Sequence, residues 1–244
     1  MRGGVGEGMK KVLITGVSKG LGRALAIEMA KLGHIIIGCS RTQNDLHLLE
    51  QHLRNISPHN HFLLNIDVSC NDSVKEMARI VVDKIGVPDI IVNNAGVINK
   101  QGKIWEIPKE EFDNVIDINI KGTTNVLRHF IPLMTPKNQG IIVNMSAIMA
   151  RIGVPMASPY CSSKWAIEGL SKSVAKEMPD GMTIITLDPG IVNTQMLFSL
   201  LGDIASQFQT PEKWAKKAAP MILNLTGMDN GASLTVDDPG VLPF

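Results

Sequence analysis

Residues 10–33 read KKVLITGVSKGLGRALAIEMAKLG, and the fold turns on this stretch. It opens with a short apolar run, Val12 to Ile14, that enters a glycine. A continuous apolar run bounded by a turn signal reads as a buried strand. From Arg23 onward apolar residues recur at helical spacing until Gly33, a natural C-terminal cap. Between the two lies TGVSKGLG, with glycines at 16, 20 and 22. Glycine permits a tight turn and a close backbone approach, so the amides at the start of the helix can meet a pair of phosphates. The spacing is G-x-x-x-G-x-G, not G-x-G-x-x-G. Its weight comes from its place after the first strand of a βαβ unit.

The same alternation runs outward along the chain. HIIIGCS, HFLLNIDV, PDIIVNNAG, GIIVNMS, MTIITLDPG and ASLTV read as further strands. Helical spacing is predicted for QNDLHLLEQHLRN, for DSVKEMARIVVDKIG capped by Asp72 or Ser73, for 109–134, for 160–177 and for a helix opened by Pro211. The strands are continuous Val/Ile/Leu runs, so both sheet faces are covered. The expected fold is therefore α/β: a doubly wound parallel sheet of Rossmann type in three αβα layers. Residues 1–9 are expected to form a flexible glycine-rich tail and residues 10–244 a single domain.

Composition narrows the function. Hydrophobic residues make up 44% and charged residues 19%, enough apolar side chains for a sizeable core. The net charge is +1, and no charge block points to a nucleic acid or a membrane surface. No apolar run is long enough to span a bilayer. Cys39, Cys70 and Cys161 lack metal-like spacing and form no disulfide framework, which fits a reducing cytoplasm. His59 and His61 stand close together without a carboxylate or cysteine cluster, so a solvent-exposed loop is the reading there and no metal is expected.

The end of the second strand bears on the cofactor. NAD binding calls for an acid that takes the ribose 2′-hydroxyl. Here the chain reads CSRTQ, with Ser40 and Arg41 and no carboxylate, and Lys19 lies inside the glycine turn. Two cations and a hydroxyl suit a 2′-phosphate, so NADP(H) is the expected cofactor.

TGVSKGLG, the DV at 67–68, NNAG at 93–96, the asparagine of DINIKG, YCSSK at 160–164 and PGIVNT at 189–194 occur in one order. Together they make the chain resemble the short-chain dehydrogenase/reductase family over nearly its whole length. Within that family, SPYCSSKWAIEGLSKSVAKEM, DPGIVNTQML and NGASLTV look like the group of plant NADPH-dependent pterin aldehyde reductases. The resemblance implies roles by position. Gly16, Ser18, Lys19, Gly20, Leu21 and Gly22 would form the phosphate turn, and Asp67 and Val68 would hold the adenine. Asn94, Ala95 and Gly96 would line the cofactor floor, with Pro189, Gly190, Val192 and Thr194 around the nicotinamide carboxamide. Tyr160 would donate the proton in reduction, Lys164 would bind the ribose and lower the phenol's pKa, and Asn119 would hold a water behind the lysine. The resemblance also implies a homodimer or homotetramer paired through the helices around 109–134 and 160–177.

The chemistry is sensible without the resemblance. A free tyrosine titrates near ~10, and a neighbouring cation moves it toward working pH. Positions i and i+4 share a helix face, so Tyr160 and Lys164 project together. Tyr160 is also the chain's one tyrosine. The family carries two adjacent serines ahead of this helix, the second polarising the substrate carbonyl. Counting back from Tyr160 through GVPMASPY places that second serine on Ala147 and the first on Ser146. Three accounts stay open: Ser146 substitutes after a local shift, the serine was removed deliberately, or the pocket is used differently. The leading function is reduction of a small carbonyl or aldehyde substrate. The alternative is a non-reducing relative that binds cofactor or acts as a cyclase or isomerase. TQMLFSLLGDIASQFQ, after the PG turn, reads either as an apolar mobile lid or as an amphipathic core helix. Cys161 reads as a packing residue.

Overall fold

The computed structural model describes residues 8–236, so the expected tail, apart from Gly8 and Met9, and the last residues from 237 lie outside the described residues. The order is β1 (Lys11–Thr15), α1 (Gly20–Lys31), β2 (Ile35–Ser40), α2 (Gln43–Ile56), β3 (Phe62–Asn65), α3 (Asn71–Lys84), β4 (Ile90–Asn93), α4 (Lys109–Ile116) and α5 (Thr123–Met134). It continues with β5 (Gly140–Met145), α6 (Ser158–Ala175), β6 (Met182–Asp188), α7 (Gln195–Leu201), α8 (Pro211–Leu223) and β7 (Ser233–Thr235).

The strands form one seven-stranded sheet in the order β3-β2-β1-β4-β5-β6-β7. Every neighbouring pair is parallel. Side chains alternate across the pleat, so each strand feeds two cores. On one face Val12, Ile14, Ile36, Val92 and Ile185 pack with Leu25 and Met29 of α1, Leu49 of α2 and Trp214 of α8. On the other, Leu13, Ile37, Ile91, Ile142 and Ile184 pack with Met77 of α3 and Phe130 of α5. Burial of both faces is why the strands read as unbroken apolar runs rather than as alternating patterns.

The chain leaves β1 toward β2 and β3, then crosses back to place β4 on the other side of β1. That reversal opens a crevice at the carboxyl ends of β1 and β4. The predicted helix over 109–134 is interrupted: Asp117–Gly122 forms a wider π-type turn between α4 and α5. Asn119 sits in that turn. Helix α3 begins at Asn71 after Cys70, not at a cap from Asp72 or Ser73. Helix α6 starts at Ser158, with Pro159 in its first turn, where a missing N–H costs nothing. Among the described residues no helix is long and apolar enough to cross a membrane. No group of three or more His, Cys, Asp or Glu side chains is poised for a metal among them. His61 accepts a hydrogen bond from the Ile36 amide through Nδ1 at 3.0 Å, so it braces the sheet edge rather than standing free in a loop.

Candidate active site

A cleft of about 400 Å³ lies over the carboxyl ends of the strands. The glycine turn forms one end. Gly16 follows β1 with φ +71, and a Cβ there would lie 2.9 Å from the Ala95 Cα. At Gly22 a Cβ would sit 2.4 Å from both the Asn94 Nδ2 and the Gly16 carbonyl oxygen. Only glycine fits either place. The Asn94 side chain donates to the Thr15 and Gly16 carbonyls at 2.8 and 3.1 Å. In return the Thr15 hydroxyl accepts from the amides of Asn94 and Ala95 at 3.1 and 2.9 Å. The NNAG segment is thus stitched to the end of β1, and its asparagine shapes the turn from behind.

Ser18, Lys19, Gly20 and Leu21 line this end, and Ser40, Arg41, Asp67 and Val68 line its far corner with Ala95 and Gly96 opposite. The Arg41 guanidinium stands 3.8 Å from the Asp67 carboxylate. Lys19 does not join that corner: its Nζ donates to the Gln195 Oε1 at 3.0 Å, across the cleft at the start of α7. Pro189, Gly190, Val192 and Thr194 form the wall between. Gly22 and Asn119 lie behind the lining rather than in it.

Helix α6 supplies the other end. Tyr160 and Lys164 are both buried and both line the cleft. The Lys164 Nζ donates to the Met145 carbonyl at 2.8 Å and lies 5.5 Å from the centre of the Tyr160 ring. Burial brings the Lys164 ammonium down to about 8, against an opposing pull from Asp188. Burial also pushes the Tyr160 phenol up, aided by the charges of Asp188 and Cys161. This reverses the expected direction. Loss of solvent dominates here, so the phenol holds its proton more firmly than a free tyrosine does.

Asn119 has both of its side-chain donor hydrogens committed. Its Oδ1 accepts from the Val97 amide at 2.8 Å, and its Nδ2 donates to the Val97 carbonyl and the Ser163 hydroxyl, each at 2.9 Å. The side chain clamps the loop after β4 to α6 and has no N–H left to offer a water.

Ser146 is correspondingly unavailable as a substitute donor. Its hydroxyl donates to the Glu168 Oε1 at 2.6 Å and its amide to the Leu187 carbonyl at 2.8 Å. Glu168, two turns past Tyr160 on α6, also accepts from Thr186 at 2.8 Å and Ser233 at 2.5 Å. Burial alone would raise this carboxyl, but the hydroxyls of Ser146, Ser233 and Thr186 outweigh it and leave it below the usual glutamate value. Ala147 lines the cleft and packs in one apolar cluster with Tyr160, Met149, Met196 and Leu200. No hydroxyl occupies that place.

The lining around Tyr160 is otherwise apolar, with Ile98, Met145, Ile148, Met149, Met196 and Leu200. No residue of α7 is fully buried, and Phe198 is 53% exposed, which favours the lid over a core helix. Two side-chain hydrogen bonds strap α7 down: Lys19 to Gln195, and the Gln101 Nε2 to the Leu200 carbonyl at 2.9 Å. Cys161 is buried in the same cluster, in keeping with packing. Sequence reasoning missed Thr15, Gln195, Gln101 and Glu168. Only Thr15 left a signal, as the hydroxyl residue directly before the first glycine.

The sequence profile of the short chain dehydrogenase family matches residues 10–203. The NADPH-dependent pterin aldehyde reductase of Arabidopsis thaliana is 61% identical over 227 residues, covering 93% of each chain. A 3-oxoacyl-[acyl-carrier-protein] reductase of Staphylococcus epidermidis is 30% identical over 200 residues, 81% of each chain. Among solved structures, an alcohol dehydrogenase from the archaeon Thermococcus sibiricus, complexed with 5-hydroxy-NADP, superposes with a TM-score of 0.84 at 26% identity, covering 96% of this chain and 100% of that one. With its glycine turn, its Tyr160–Lys164 helix and a profile match over most of its length, the chain belongs to the short-chain dehydrogenase/reductase family.

Proposed function

We propose that the protein is an NADPH-dependent reductase of carbonyl compounds, with aldehydes borne on a pterin-like ring as the first class to test. The observation that carries this reading is the pairing of Tyr160 and Lys164 in a cleft whose other end is a glycine turn. The residues present fit the cofactor. Helix α1 opens on the cleft with no acidic residue in its first turn, so its free amides can take a pyrophosphate. The corner beyond β2 offers Ser40 and Arg41, the latter anchored by Asp67, for a 2′-phosphate. Lys19, held toward α7, would meet the pyrophosphate side instead. The 61% identical relative, named for its NADPH dependence, supports the same choice.

When bound, the nicotinamide supplies the hydride that adds to the carbonyl carbon. Tyr160 holds the proton that the carbonyl oxygen gains, and its burial keeps that proton in place until the oxygen becomes basic enough to take it. Lys164, oriented by the Met145 carbonyl, would hold the ribose beneath Tyr160. Ala147 adds shape but no hydrogen bond, so Tyr160 would polarise the oxygen alone. That gap favours a second reading, a relative that binds cofactor without ordinary reduction.

Loss of nicotinamide absorbance with NADPH, or with NADH, and a panel of aldehydes separates the two. Turnover with a clear preference for NADPH is expected, and Arg41→Ala should erase much of that preference. Tight NADPH binding without turnover of any carbonyl would leave the second reading standing. Self-association through the α4/α5 and α6 faces, as a homodimer or homotetramer, belongs to the same proposal; Trp165 of α6 is 54% exposed there. Three free thiols support a reducing, cytoplasmic setting.

A further inference from the structure

Asp188 ends β6 directly before the PG turn and is buried to 2% exposure. Its Oδ1 accepts from the Gly190 amide at 2.9 Å, and the Ile148 amide bears on the same carboxylate. The Gly190 contact holds the wall of the turn after β6, and the Ile148 contact holds the loop that carries Ala147. The Arg151 guanidinium faces the carboxylate from the solvent side at 4.0 Å. Nothing in the proposed proton transfer uses this group directly.

We infer that Asp188 is a positioning residue: it ties the two loop walls of the cleft together and sets a negative charge beside the Tyr160–Lys164 pair, one residue past Leu187, whose strand partner Met145 takes the Lys164 ammonium on its carbonyl. The inference rests on Tyr160 being the proton donor. Charged and titratable groups facing Asp188 come from two neighbouring elements. Helix α6 presents Tyr160, Lys164 and Glu168, with Cys161 beside Tyr160, and the turn after Ala147 presents Arg151. The paired strand segments Asn144–Met145 and Ser233–Thr235 carry no ionisable side chain.

A negative charge at this point disfavours the phenolate and favours the ammonium of Lys164. Both effects keep the pair in the state that reduction needs, a protonated phenol over a charged lysine. The direction found for each group agrees: Asp188 acts to raise Tyr160, and it opposes the lowering of Lys164 by burial. Burial raises Asp188 itself, but at the alkaline pH where a phenol titrates its carboxyl is ionised.

Tyr160 is the chain's one tyrosine, so the ultraviolet absorbance of tyrosinate reports its ionisation without interference. The first test is an alkaline absorbance titration of the cofactor-free protein against Asp188→Asn, which keeps an oxygen to accept from Gly190 but lacks the charge. The midpoint should fall by about half a pH unit or more. The alkaline limb of the pH profile for NADPH-dependent reduction should move down with it. Arg151→Gln unmasks the carboxylate and should move the midpoint the other way by a smaller amount. If Asp188→Asn does not fold, as judged by circular dichroism, the Arg151→Gln shift decides alone. An unchanged or higher midpoint in folded Asp188→Asn overturns the inference, as does an unchanged or lower one in Arg151→Gln. Failure of the unmodified protein to turn over any aldehyde would instead count against the reductase reading and leave the titration result intact.

Discussion

At the glycine end of the cleft, Thr15, Gly16, Gly22 and Asn94 fix one another through backbone-directed hydrogen bonds and contacts with no room for a methyl group. At the substrate end, Met149, Met196 and Leu200 meet Tyr160 through apolar packing, and α7 is strapped by the side chains of Lys19 and Gln101. On the proposed reading the first end binds a ligand that hardly varies, so its geometry is dictated atom by atom. The second must admit and release a substrate, and Met and Leu side chains tolerate repacking. A substitution therefore registers as lost chemistry, lost fit or merely altered traffic, depending on the end it strikes.

The largest effect should come from the one polar group of the substrate end that does chemistry. Tyr160→Phe removes the proposed proton donor and little volume. Turnover is expected to drop ~100- to ~10,000-fold, while NADPH titration by fluorescence should give nearly unchanged affinity. Full activity in this variant would show that protonation takes another route and that the substrate end holds a donor other than Tyr160.

Next comes Gly22→Ala, which attacks the rigid end alone. Its methyl group would have to displace the Asn94 amide and the Gly16 carbonyl, each 2.4 Å from it. Overpacking of this kind costs ~1–3 kcal/mol, so NADPH affinity should fall ~10- to ~100-fold and the melting temperature should fall with it. Calorimetry that found both unchanged would mean the turn is far more pliant than its contacts imply.

Ala147→Ser adds a donor to the apolar end. A hydroxyl there could share the carbonyl oxygen with Tyr160, since Ser146 is committed to Glu168. Reduction of a simple aldehyde should rise by at least ~10-fold, a cautious part of what such donors supply, with cofactor affinity unmoved. A rate that stays flat would mean that the Ala147 position does not face the oxygen.

The same contrast decides how much of the molecule is legible in the residues. The sheet, its order of elements and the glycine turn are legible, because buried strands and positive-φ glycines impose composition directly. The near-complete lining of the cofactor end follows from the family's motifs. Lys19 is where the reading fails: sequence shows a cation in the turn but not that Gln195, far along the chain, captures it. The π-type break at Asp117–Gly122 is invisible, since its residues keep a helical apolar pattern. The raised phenol of Tyr160 escapes because burial is a property of the packed cleft, whereas a lysine four residues away is visible in the sequence. Glu168 escapes because its partners come from three separate places, Ser146 just past β5, Thr186 within β6 and Ser233 at the start of β7.

The smallest effect is expected for the strap on α7, and a matched pair of substitutions isolates it. Gln101→Ala deletes one exposed hydrogen bond, to the Leu200 carbonyl, which water can replace. Such a bond is worth ~0.5–1.5 kcal/mol and less where solvent competes. The lid should open more readily, so KM should rise ~2- to ~3-fold with kcat changed no more than that, and the melting temperature should stay put. Thr15→Val also deletes one hydroxyl, but it strands the Ala95 amide inside the fold and leaves the Asn94 amide with the Val92 carbonyl alone. Buried groups left without partners cost ~1–3 kcal/mol each, so this variant should melt several degrees lower and bind NADPH more weakly. Thermal melts of the two proteins side by side make the comparison directly. If Gln101→Ala loses as much stability as Thr15→Val, α7 is an integral part of the core and not a lid, and the contrast between the two ends of the cleft fails.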